Sequence, residues 1–399
     1  MNQSHSYTFG IEEEFFLVDP VSRDLATEVP REFMRSCRRL FGGGVHEEMK
    51  RAQVETATPI LRHTPEARSS LSELREGVGE AAASLGMALV AAGTHPFAGW
   101  RDHAGTDAPR YERLLDDFQI VGRRSLVCGL HVHVALPEHV DRVELMTRLM
   151  PWTPMLLALS TSSPFWDGRS TGLMSYRQAA YDEWPRSGIP DDFENEARYA
   201  EFVDLLARCG ALDNGSFLWW AIRPSAKFPT LELRITDACT RIEDSLALAS
   251  AFRCLVRAHV GNPRLGLERS SLTRRIIDEN RWRAKRFGVR AEFIDESRRC
   301  ALAFPVRLAE LVELLAPEAE ILGCQPELHH LSLMARMGTS ADAQLAIYRR
   351  ERDSMATREQ ALAKVVDWLA ETTRAGASRP SAVPYRLHAL HSAAGAANA

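Results

Sequence analysis

Four short segments of the chain alternate apolar and polar residues in the way that predicts β-strands. These segments are residues 7–18, 51–56, 125–136 and 229–237. In the third segment, Leu130, Val132 and Val134 alternate with His131 and His133. Successive side chains of a strand point to opposite faces of a sheet, so each segment predicts one apolar face and one polar face.

Other, longer segments repeat apolar residues at helical spacing and predict amphipathic α-helices. They are residues 65–90, 244–260, 302–315 and 341–369. In the first of them, Leu71, Leu74 and Val78 recur at intervals of three and four residues. Ser340 precedes the last segment, and we expect it to be the N-cap of that helix.

Strands with one apolar face, combined with amphipathic helices, predict an α+β fold. We expect an antiparallel sheet with helices packed on its outer face, and a second face that meets solvent or a functional site. Residues 1–374 are expected to form a single catalytic domain. Residues 375–399 are rich in Ala, Ser and Pro and are expected to be a loosely ordered tail.

Composition narrows the class of protein. Among 399 residues, 45% are hydrophobic and 26% are charged, which is typical of a packed globular protein. The net charge of -4 provides no field that attracts nucleic acid or anionic lipid. No apolar run approaches the roughly 20 residues of a membrane span, and no secretory signal is visible. Seven scattered cysteines without a Cys-x-x-Cys motif favour reduced thiols. We therefore expect a cytoplasmic protein with neither nucleic acid nor a membrane as partner.

The polar faces of the four predicted strands carry an unusual set of side chains. They are Glu12, Glu14, Gln53, Glu55, His131, His133, Glu232 and Arg234. Acidic strands in one sheet repel each other unless a cation lies between them. Carboxylates with an occasional imidazole suit Mg²⁺ or Mn²⁺, and arginine suits a phosphate held beside the metal. The set therefore predicts phosphoryl transfer from a nucleotide. Neither a P-loop motif nor a Gly-x-Gly-x-x-Gly motif after a strand is present.

Each of these features also has a simpler interpretation when it is taken alone. Two glutamates on an edge strand usually form a solvated face. His-x-His on a strand is compatible with neutral core histidines or with a zinc site of another kind. Glu232 and Arg234 could form an exposed ion pair of little energetic value. Their coincidence on strand-like segments favours the combined interpretation.

These segments resemble the glutamate–cysteine ligase type 2 family, the bacterial carboxylate–amine ligases. The similarity spans roughly residues 7–350 in the expected order. Its motifs are FGIEEEF at 9–15, VETATP at 54–59, GTHPF at 93–97, CGLHVHV at 128–134, SPFW at 163–166, TGLMSYR at 171–177, WPRSG at 184–188, RPS at 223–225, PTLELRITD at 229–237, ENRWRA at 279–284 and RMGTSAD at 336–342.

The resemblance implies a glutamine-synthetase-like catalytic unit with an active-site funnel on the inner face of its sheet. It implies ATP-dependent joining of the side-chain carboxylate of glutamate to the amine of cysteine, with ATP and Mg²⁺ (or Mn²⁺) as cofactors. The implied metal ligands are Glu12, Glu14, Glu55, His131 and Glu232. His133 stands where more distant relatives differ, and it is added to the expected ligands because it shares a strand face with His131. Glu48, next to Glu47, is a further acidic position that matches the relatives.

The resemblance also implies roles for other residues. Arg234, Glu55 and Arg177 are expected in catalysis, and Arg223, Arg234 and Asn280 in binding of ATP. An acyl phosphate must be kept from water, and residues 160–190 could form a cover over the site or a plain surface excursion. The basic cluster in residues 274–286 could line the nucleotide site or be a solvated face.

Several functions stay open on the sequence. A ligase of the same mechanism could use a different amine or carboxylate. A small-molecule kinase on the same sheet would release a phosphorylated product without an amine. A non-catalytic metabolite-binding protein is the third possibility, although the intact carboxylates disfavour it. The family suggests a homodimer.

Overall fold

The structure is a computed structural model that describes residues 7–378. Its strands are β1 Phe9–Val18, β2 Val45–Glu47, β3 Gln53–Ala57, β4 Ala88–Val90, β5 Leu130–Ala135, β6 Phe165–Trp166, β7 Arg169–Ser170, β8 Ser187–Gly188, β9 Trp219–Trp220, β10 Ile222–Pro224, β11 Thr230–Leu233, β12 Glu292–Asp295 and β13 Cys300–Ala303. Its α-helices are α1 Arg31–Phe41, α2 Thr64–Ala83, α3 Pro109–Arg124, α4 Arg142–Leu149, α5 Thr153–Ser160, α6 Tyr176–Tyr181, α7 Glu196–Arg208, α8 Ile242–Gly261, α9 Thr273–Phe287, α10 Phe304–Leu322, α11 Gln325–Met337, α12 Ser340–Asp353 and α13 Arg358–Ser378.

Seven strands form one antiparallel sheet around β1. The order is β10-β11-β5-β1-β3-β2, and β4 also pairs with β1. β3 lies on one edge of β1, while β5 and β4 follow one another along the other edge. The remaining strands form three separate pairs, β6 with β7, β8 with β9 and β12 with β13. The position of β1 therefore brings its side chains next to those of both β3 and β5.

The outer face of the sheet is apolar and is covered by helices. Ile11 and Val132 belong to a core cluster that includes Leu71 of α2 and Phe252 of α8. Phe15 and Val54 pack in a second cluster with Val78 of α2. Burying these side chains between sheet and helices drives this packing, at about 25 cal/mol per Å² of apolar surface. The predicted α+β fold, with helices on the outer face, is confirmed.

One charged residue lies on this apolar face. Glu13 is 2% exposed and forms two hydrogen bonds with Arg75 of α2, from Nη2 to Oε1 at 2.6 Å and from Nε to Oε2 at 2.9 Å. The hydroxyl of Ser245 in α8 donates to the same Oε1 at 2.6 Å. This buried pair joins β1 to both covering helices.

Several predicted boundaries are wrong. The helix predicted over residues 65–90 ends at Ala83, and residues 88–90 are the strand β4, because Gly86 adopts a φ of +75° that a helix cannot continue. The segment 341–369 forms two helices, α12 and α13, which separate at Met355 with φ +67°. The segment 302–315 begins in β13 before α10 starts at Phe304.

The N-cap of α12 is Thr339 and not Ser340, because Thr339 and Asp342 form a reciprocal capping box. At the C-terminus, α13 reaches Ser378. The rest of the predicted loose tail, residues 379–399, lies outside the described residues. In the described part of the chain, no helix is long and apolar enough to cross a membrane.

Candidate active site

The inner face of the sheet collects acidic and imidazole side chains from neighbouring strands. The strand register pairs Glu14 with Glu55, Glu12 with His131, and Glu232 with His133. Alternation within each strand turns these side chains toward the inner face, while Glu13 points outward. The polar faces predicted from the sequence therefore meet in one place.

Distances within this group are short enough for shared ligation. Glu12 lies between both histidines, with its Oε2 3.3 Å from His131 Nδ1 and its Oε1 3.4 Å from His133 Nε2. His131 Nε2 is 3.8 Å from Glu14 Oε1, and His133 Nε2 is 3.9 Å from Glu232 Oε1.

Three overlapping sets of ligand atoms each fall within 4.8 Å of one another. The sets are Glu12 with Glu55 and His131, Glu12 with His133 and Glu232, and Glu14 with Glu48 and Glu55. Carboxylate oxygens with one imidazole are the donor set that Mg²⁺ and Mn²⁺ accept.

The close approach of Glu14, Glu48 and Glu55 raises the pKa values of two of these carboxyl groups. Burial, followed by the charge of Glu14, raises the pKa of Glu48 to about 8. Burial and then the charges of Glu12, Glu48 and Glu14 raise the pKa of Glu55 well above its ordinary value. A divalent cation would remove this repulsion, because an opposite charge favours the ionised carboxylates.

Two further observations support a cation at this site. The Nε2 atom of His131 is buried and has no hydrogen-bond partner among the described residues, although an imidazole nitrogen in the interior is normally satisfied. Burial alone would raise the pKa of Glu12, but hydrogen bonds with His131 and then His133 lower it well below its ordinary value. Glu12 is therefore an ionised carboxylate at neutral pH. The residues present fit a bound Mg²⁺ or Mn²⁺.

The structure also separates Glu48 from its acidic neighbour. Glu48 is drawn into the carboxylate group, whereas Glu47 is about half exposed and pairs with Arg38 of α1 at 3.2 Å. The turn after β2 carries Glu48 across toward Glu14 and Glu55. Sequence spacing alone gave only a weak reason to choose between the two glutamates.

Two arginines hold Glu232. Arg223 donates to its carboxylate from Nε at 2.8 Å and from Nη2 at 3.1 Å, and Arg234 donates from Nη1. Although burial would raise the pKa of Glu232, Arg223 and then Arg234 keep it well below its ordinary value. Arg234 lies just beyond the end of β11, and its Nη2 also donates to the Tyr181 hydroxyl at 3.3 Å. Arg234 is thus a partly buried residue of the cleft and not part of an exposed surface pair.

Arg177 enters the cleft from α6. Its side chain is almost fully buried and passes over Gly129, where a Cβ would lie 2.2 Å from Nη2. Nη1 donates to the Arg234 carbonyl at 3.4 Å, and Nε has no hydrogen-bond partner in the described part of the chain. No carboxylate is within ion-pair distance of this guanidinium in that part of the chain. Its charge is therefore available to an anionic ligand.

Two cavities meet at this group. The first, of about 650 Å³, is a polar cleft whose walls include Glu14, Glu55, Arg177 and Arg234. The second, of about 1160 Å³, is mainly apolar and lies at the end of the sheet, beside residues such as Phe41, Ile60 and Leu136. Their shared boundary consists of Glu12, Gly43, His46, His133, Lys227 and Phe228.

Most side chains predicted from the sequence are brought together here. Glu12, Glu14, Gln53, Glu55, His131, His133, Arg177, Arg223, Glu232 and Arg234 all line the polar cleft. Residues 160–190 supply Arg177, Tyr181 and Trp184 to its wall. The aromatic contribution of Tyr181 and Trp184 was not predicted as part of the site, because neither side chain belongs to a sequence pattern that shows what it faces.

Asn280 lies elsewhere, and the geometry does not support its expected role in ATP binding. Its amide donates to the Ile294 carbonyl at 2.9 Å and accepts from the Ile294 N–H at 2.8 Å. Among the described residues it lines neither of the two cavities. The basic cluster of α9 is also outside them, and its Arg281 and Lys285 pair with Asp182 at 2.6 and 2.7 Å.

Comparison with known proteins agrees with this geometry. Residues 8–365 match the profile of "Glutamate-cysteine ligase family 2 (GCS2)". The chain belongs to this family. The resemblance inferred from the sequence motifs is therefore confirmed, and the activity indicated by the family is that of a ligase.

Relatives within glutamate–cysteine ligase family 2 are similar over nearly their whole length. A protein of Ectopseudomonas mendocina is 45% identical over 366 residues, covering 92% of this chain and 97% of its own. A protein of Rhodospirillum rubrum is 42% identical over 383 residues, covering 95% of this chain and 98% of its own. Both carry the name "Putative glutamate--cysteine ligase 2".

Two solved structures share the fold at low sequence identity. Glutamate–cysteine ligase of Francisella tularensis, solved with AMP, has a TM-score of 0.67 at 10% identity and covers 93% of this chain and 89% of its own. The bifunctional glutathione synthetase of Pasteurella multocida has a TM-score of 0.67 at 16% identity and covers 92% of this chain. This chain spans about half of that enzyme, 53% of its length.

Proposed function

We propose that the protein is an ATP-dependent carboxylate–amine ligase that joins the γ-carboxylate of glutamate to the amine of cysteine, or of another amine, through an acyl phosphate. The observation that carries the proposal is the convergence of Glu12, Glu14, Glu55 and both histidines beside the arginines of one cleft. Carboxylates that can share cations, next to the guanidinium groups of Arg177 and Arg234, suit the transfer of a phosphoryl group.

The two cavities differ in chemistry, and this supports an assignment of the substrates. The nucleoside of ATP is the largest substrate fragment with apolar surfaces, and it suits the larger, apolar cavity. Glutamate and the amine suit the polar cleft, where Arg177 and Arg234 can contact anionic groups. The phosphates of ATP would then cross the boundary at Glu12 and His133, within reach of Lys227.

Each group of the cleft has a physical role in this reaction. Mg²⁺ held by Glu12, Glu14, Glu48, Glu55, His131, His133 and Glu232 would neutralise phosphate charge. The guanidinium of Arg234, kept in place by Glu232 and Tyr181, is positioned to donate to phosphoryl oxygens as negative charge develops. Arg177, which has no carboxylate partner in the described chain, can do the same from its position beside Arg234.

The second half-reaction requires protection from water. An amine must displace phosphate from the acyl phosphate before hydrolysis occurs. Tyr181 and Trp184, from the segment that follows α5, form part of the wall on the side of Arg177. In this proposal their rings would exclude water from the space where the acyl group would lie.

The test is a coupled measurement of phosphate release and product mass. With ATP, Mg²⁺ and L-glutamate, we expect hydroxylamine to yield the γ-hydroxamate and cysteine to yield γ-glutamylcysteine. Hydroxylamine separates the two half-reactions, because it traps the acyl phosphate even if cysteine is not the preferred amine. Phosphorylated glutamate that accumulates without any amine product would instead indicate a kinase.

A matched pair of variants assigns the activity to the carboxylate group. Glu55→Gln should abolish hydroxamate formation, whereas Glu47→Gln, which changes an exposed glutamate paired with Arg38, should not change it. Absence of both dipeptide and hydroxamate with either Mg²⁺ or Mn²⁺ would refute glutamate as the substrate.

A further inference from the structure

Asp237 is a fully buried carboxylate at the end of the segment that carries Glu232 and Arg234. Its Oδ2 accepts from the Ser163 hydroxyl at 2.7 Å and from the Ser162 N–H at 3.1 Å, and its Oδ1 accepts from the Ser175 hydroxyl at 2.8 Å. Gly93 packs closely against this carboxyl group, since a Cβ at that position would lie 2.8 Å from the carboxyl carbon. Burial raises the pKa of Asp237, and the charge of Arg177 and the three donors that converge on its oxygens oppose that rise.

The two serine hydroxyls that Asp237 holds are also acceptors for α6. The Arg177 N–H donates to Ser163 Oγ at 3.0 Å, and the Gln178 N–H donates to Ser175 Oγ at 3.4 Å. Each hydroxyl therefore donates to the Asp237 carboxylate and accepts from a backbone N–H in the first turn of α6. Both Asp237 oxygens are engaged in this way, so the carboxylate controls the start of α6 from two points.

This support matters because α6 is short. Six residues, Tyr176–Tyr181, form too few internal hydrogen bonds to keep a helix stable without its surroundings. The N-cap accounts for about 1 kcal/mol of helix stability in such cases. The direction of α6 therefore depends on the serines at its start, and the direction of the serine hydroxyls depends on Asp237.

The side chains that α6 sends into the cleft are the ones that the proposed function uses. Arg177 lies over Gly129, and Tyr181 accepts a hydrogen bond from Arg234. The guanidinium of Arg177 also lies 5.4 Å from the centre of the Tyr181 ring. A rotation of α6 would move Arg177 and would remove the Tyr181 contact of Arg234.

We propose that Asp237 is a positioning residue, which holds the start of α6 through Ser163 and Ser175 and thereby aims Arg177 and Tyr181 into the cleft. It does not line either cavity in the described chain, so it acts through α6 and not on substrate. The inference rests on the proposed function for its catalytic consequence only. The effect on α6 is independent of what the protein catalyses.

The experiment compares Asp237→Asn with Asp342→Asn in the full-length protein. Asp342 is a matched control, since it is a buried aspartate that caps another helix, α12, and lines neither cavity in the described chain. Amide hydrogen exchange is measured over residues 175–182, and hydroxamate formation is measured as kcat and as KM for ATP. Asp237→Asn should speed exchange in that segment at least tenfold and lower kcat at least tenfold, with KM for ATP changed less than threefold. Asp342→Asn should do neither.

A double-variant cycle tests whether the effect passes through Arg177. In an Arg177→Met background, Asp237→Asn should lower the remaining kcat less than threefold, because the group that it positions is already absent. If the loss of kcat in the double variant equals the product of the losses in the two single variants, the proposal is overturned. Unchanged exchange of residues 175–182 in Asp237→Asn would also overturn it. If the wild-type protein forms no hydroxamate, the proposed function fails, while the exchange measurement still decides whether Asp237 holds α6.

Discussion

The buried pair of Glu13 and Arg75 on the sheet's outer face is a sensitive place to perturb stability. Arg75 donates to Glu13 twice and also to the carbonyls of Thr240 and Cys239, at 2.9 and 2.8 Å. Arg75→Met would leave the Glu13 carboxylate in the core with Ser245 as its only remaining donor in the described chain. Glu13→Leu would leave the Arg75 charge without its counter-ion.

Removal of one partner of a buried ion pair costs about 3–5 kcal/mol, because the other charge stays buried and uncompensated. We expect a loss of this size in the free energy of unfolding for each single variant. The double variant Glu13→Leu with Arg75→Met leaves no buried charge. The groups that lose a partner in it are the Ser245 hydroxyl and the carbonyls of Thr240 and Cys239, all uncharged, so we expect it to cost less than the sum of the singles by at least about 3 kcal/mol.

The assay is equilibrium unfolding in guanidinium chloride, with the slope of the transition checked for each variant. Arg198→Met is the control, because Arg198 forms an exposed ion pair with Glu201 on α7, and it should leave the midpoint unchanged. Single variants that lose less than about 1 kcal/mol, or costs that simply add in the double variant, would refute the reasoning.

Three further predictions concern the cleft. Glu12→Gln should abolish ATP turnover without lowering the yield of folded protein. Glu232→Gln should also abolish turnover but should lower stability, because it leaves Arg223 and Arg234 without their buried counter-ion. Turnover should stop in EDTA and return with Mg²⁺ or Mn²⁺, and activity that persists in EDTA would contradict a metal site. Arg234→Lys retains the charge but cannot contact Glu232, Tyr181 and a phosphoryl group together, so kcat should fall at least tenfold, about 1.4 kcal/mol; an unchanged kcat would exclude Arg234 from the reaction. The pKa of Glu48 is raised to about 8 in the folded, metal-free protein, whereas in the unfolded chain it is near 4.5. Between these pH values the folded state keeps a proton that the unfolded state has released. The free energy of unfolding should therefore fall as the pH rises from about 4.5 to 8. Denaturation of metal-free protein across this range should show a shallower decline in Glu48→Gln than in Glu47→Gln, and equal slopes would contradict the assignment.

The sequence predicted the inner face of the sheet well because alternation in a strand is a local property. Glu12, Glu14, His131 and His133 are assigned to one face by parity alone. Parity does not give the order of strands, so the position of β11 beside β5 was not predicted. It also cannot show that Glu232 is held by two arginines, since Arg223 reaches it across a strand pair.

Helix boundaries were less predictable, for a physical reason. Leu85 and Leu89 fit the apolar spacing of α2, but β4 offers Leu89 another buried place against β1. The choice depends on a tertiary contact that spacing does not encode. The role of Asp237 was hidden for the same reason, because its partners Ser163 and Ser175 are far from it in sequence and look like ordinary loop serines.

The three consecutive glutamates of β1 have different fates although they are chemically identical. Glu12 and Glu14 face the cleft, where cations can balance them, and Glu13 faces a single arginine, Arg75. A shift of the strand by one residue would turn two carboxylates toward that one guanidinium and leave one carboxylate for the cleft. Arg75 can neutralise one buried carboxylate but not two, so the shifted register would leave an uncompensated negative charge in the core. Charge pairing on the outer face therefore favours the observed register of β1, in addition to the packing of its apolar side chains.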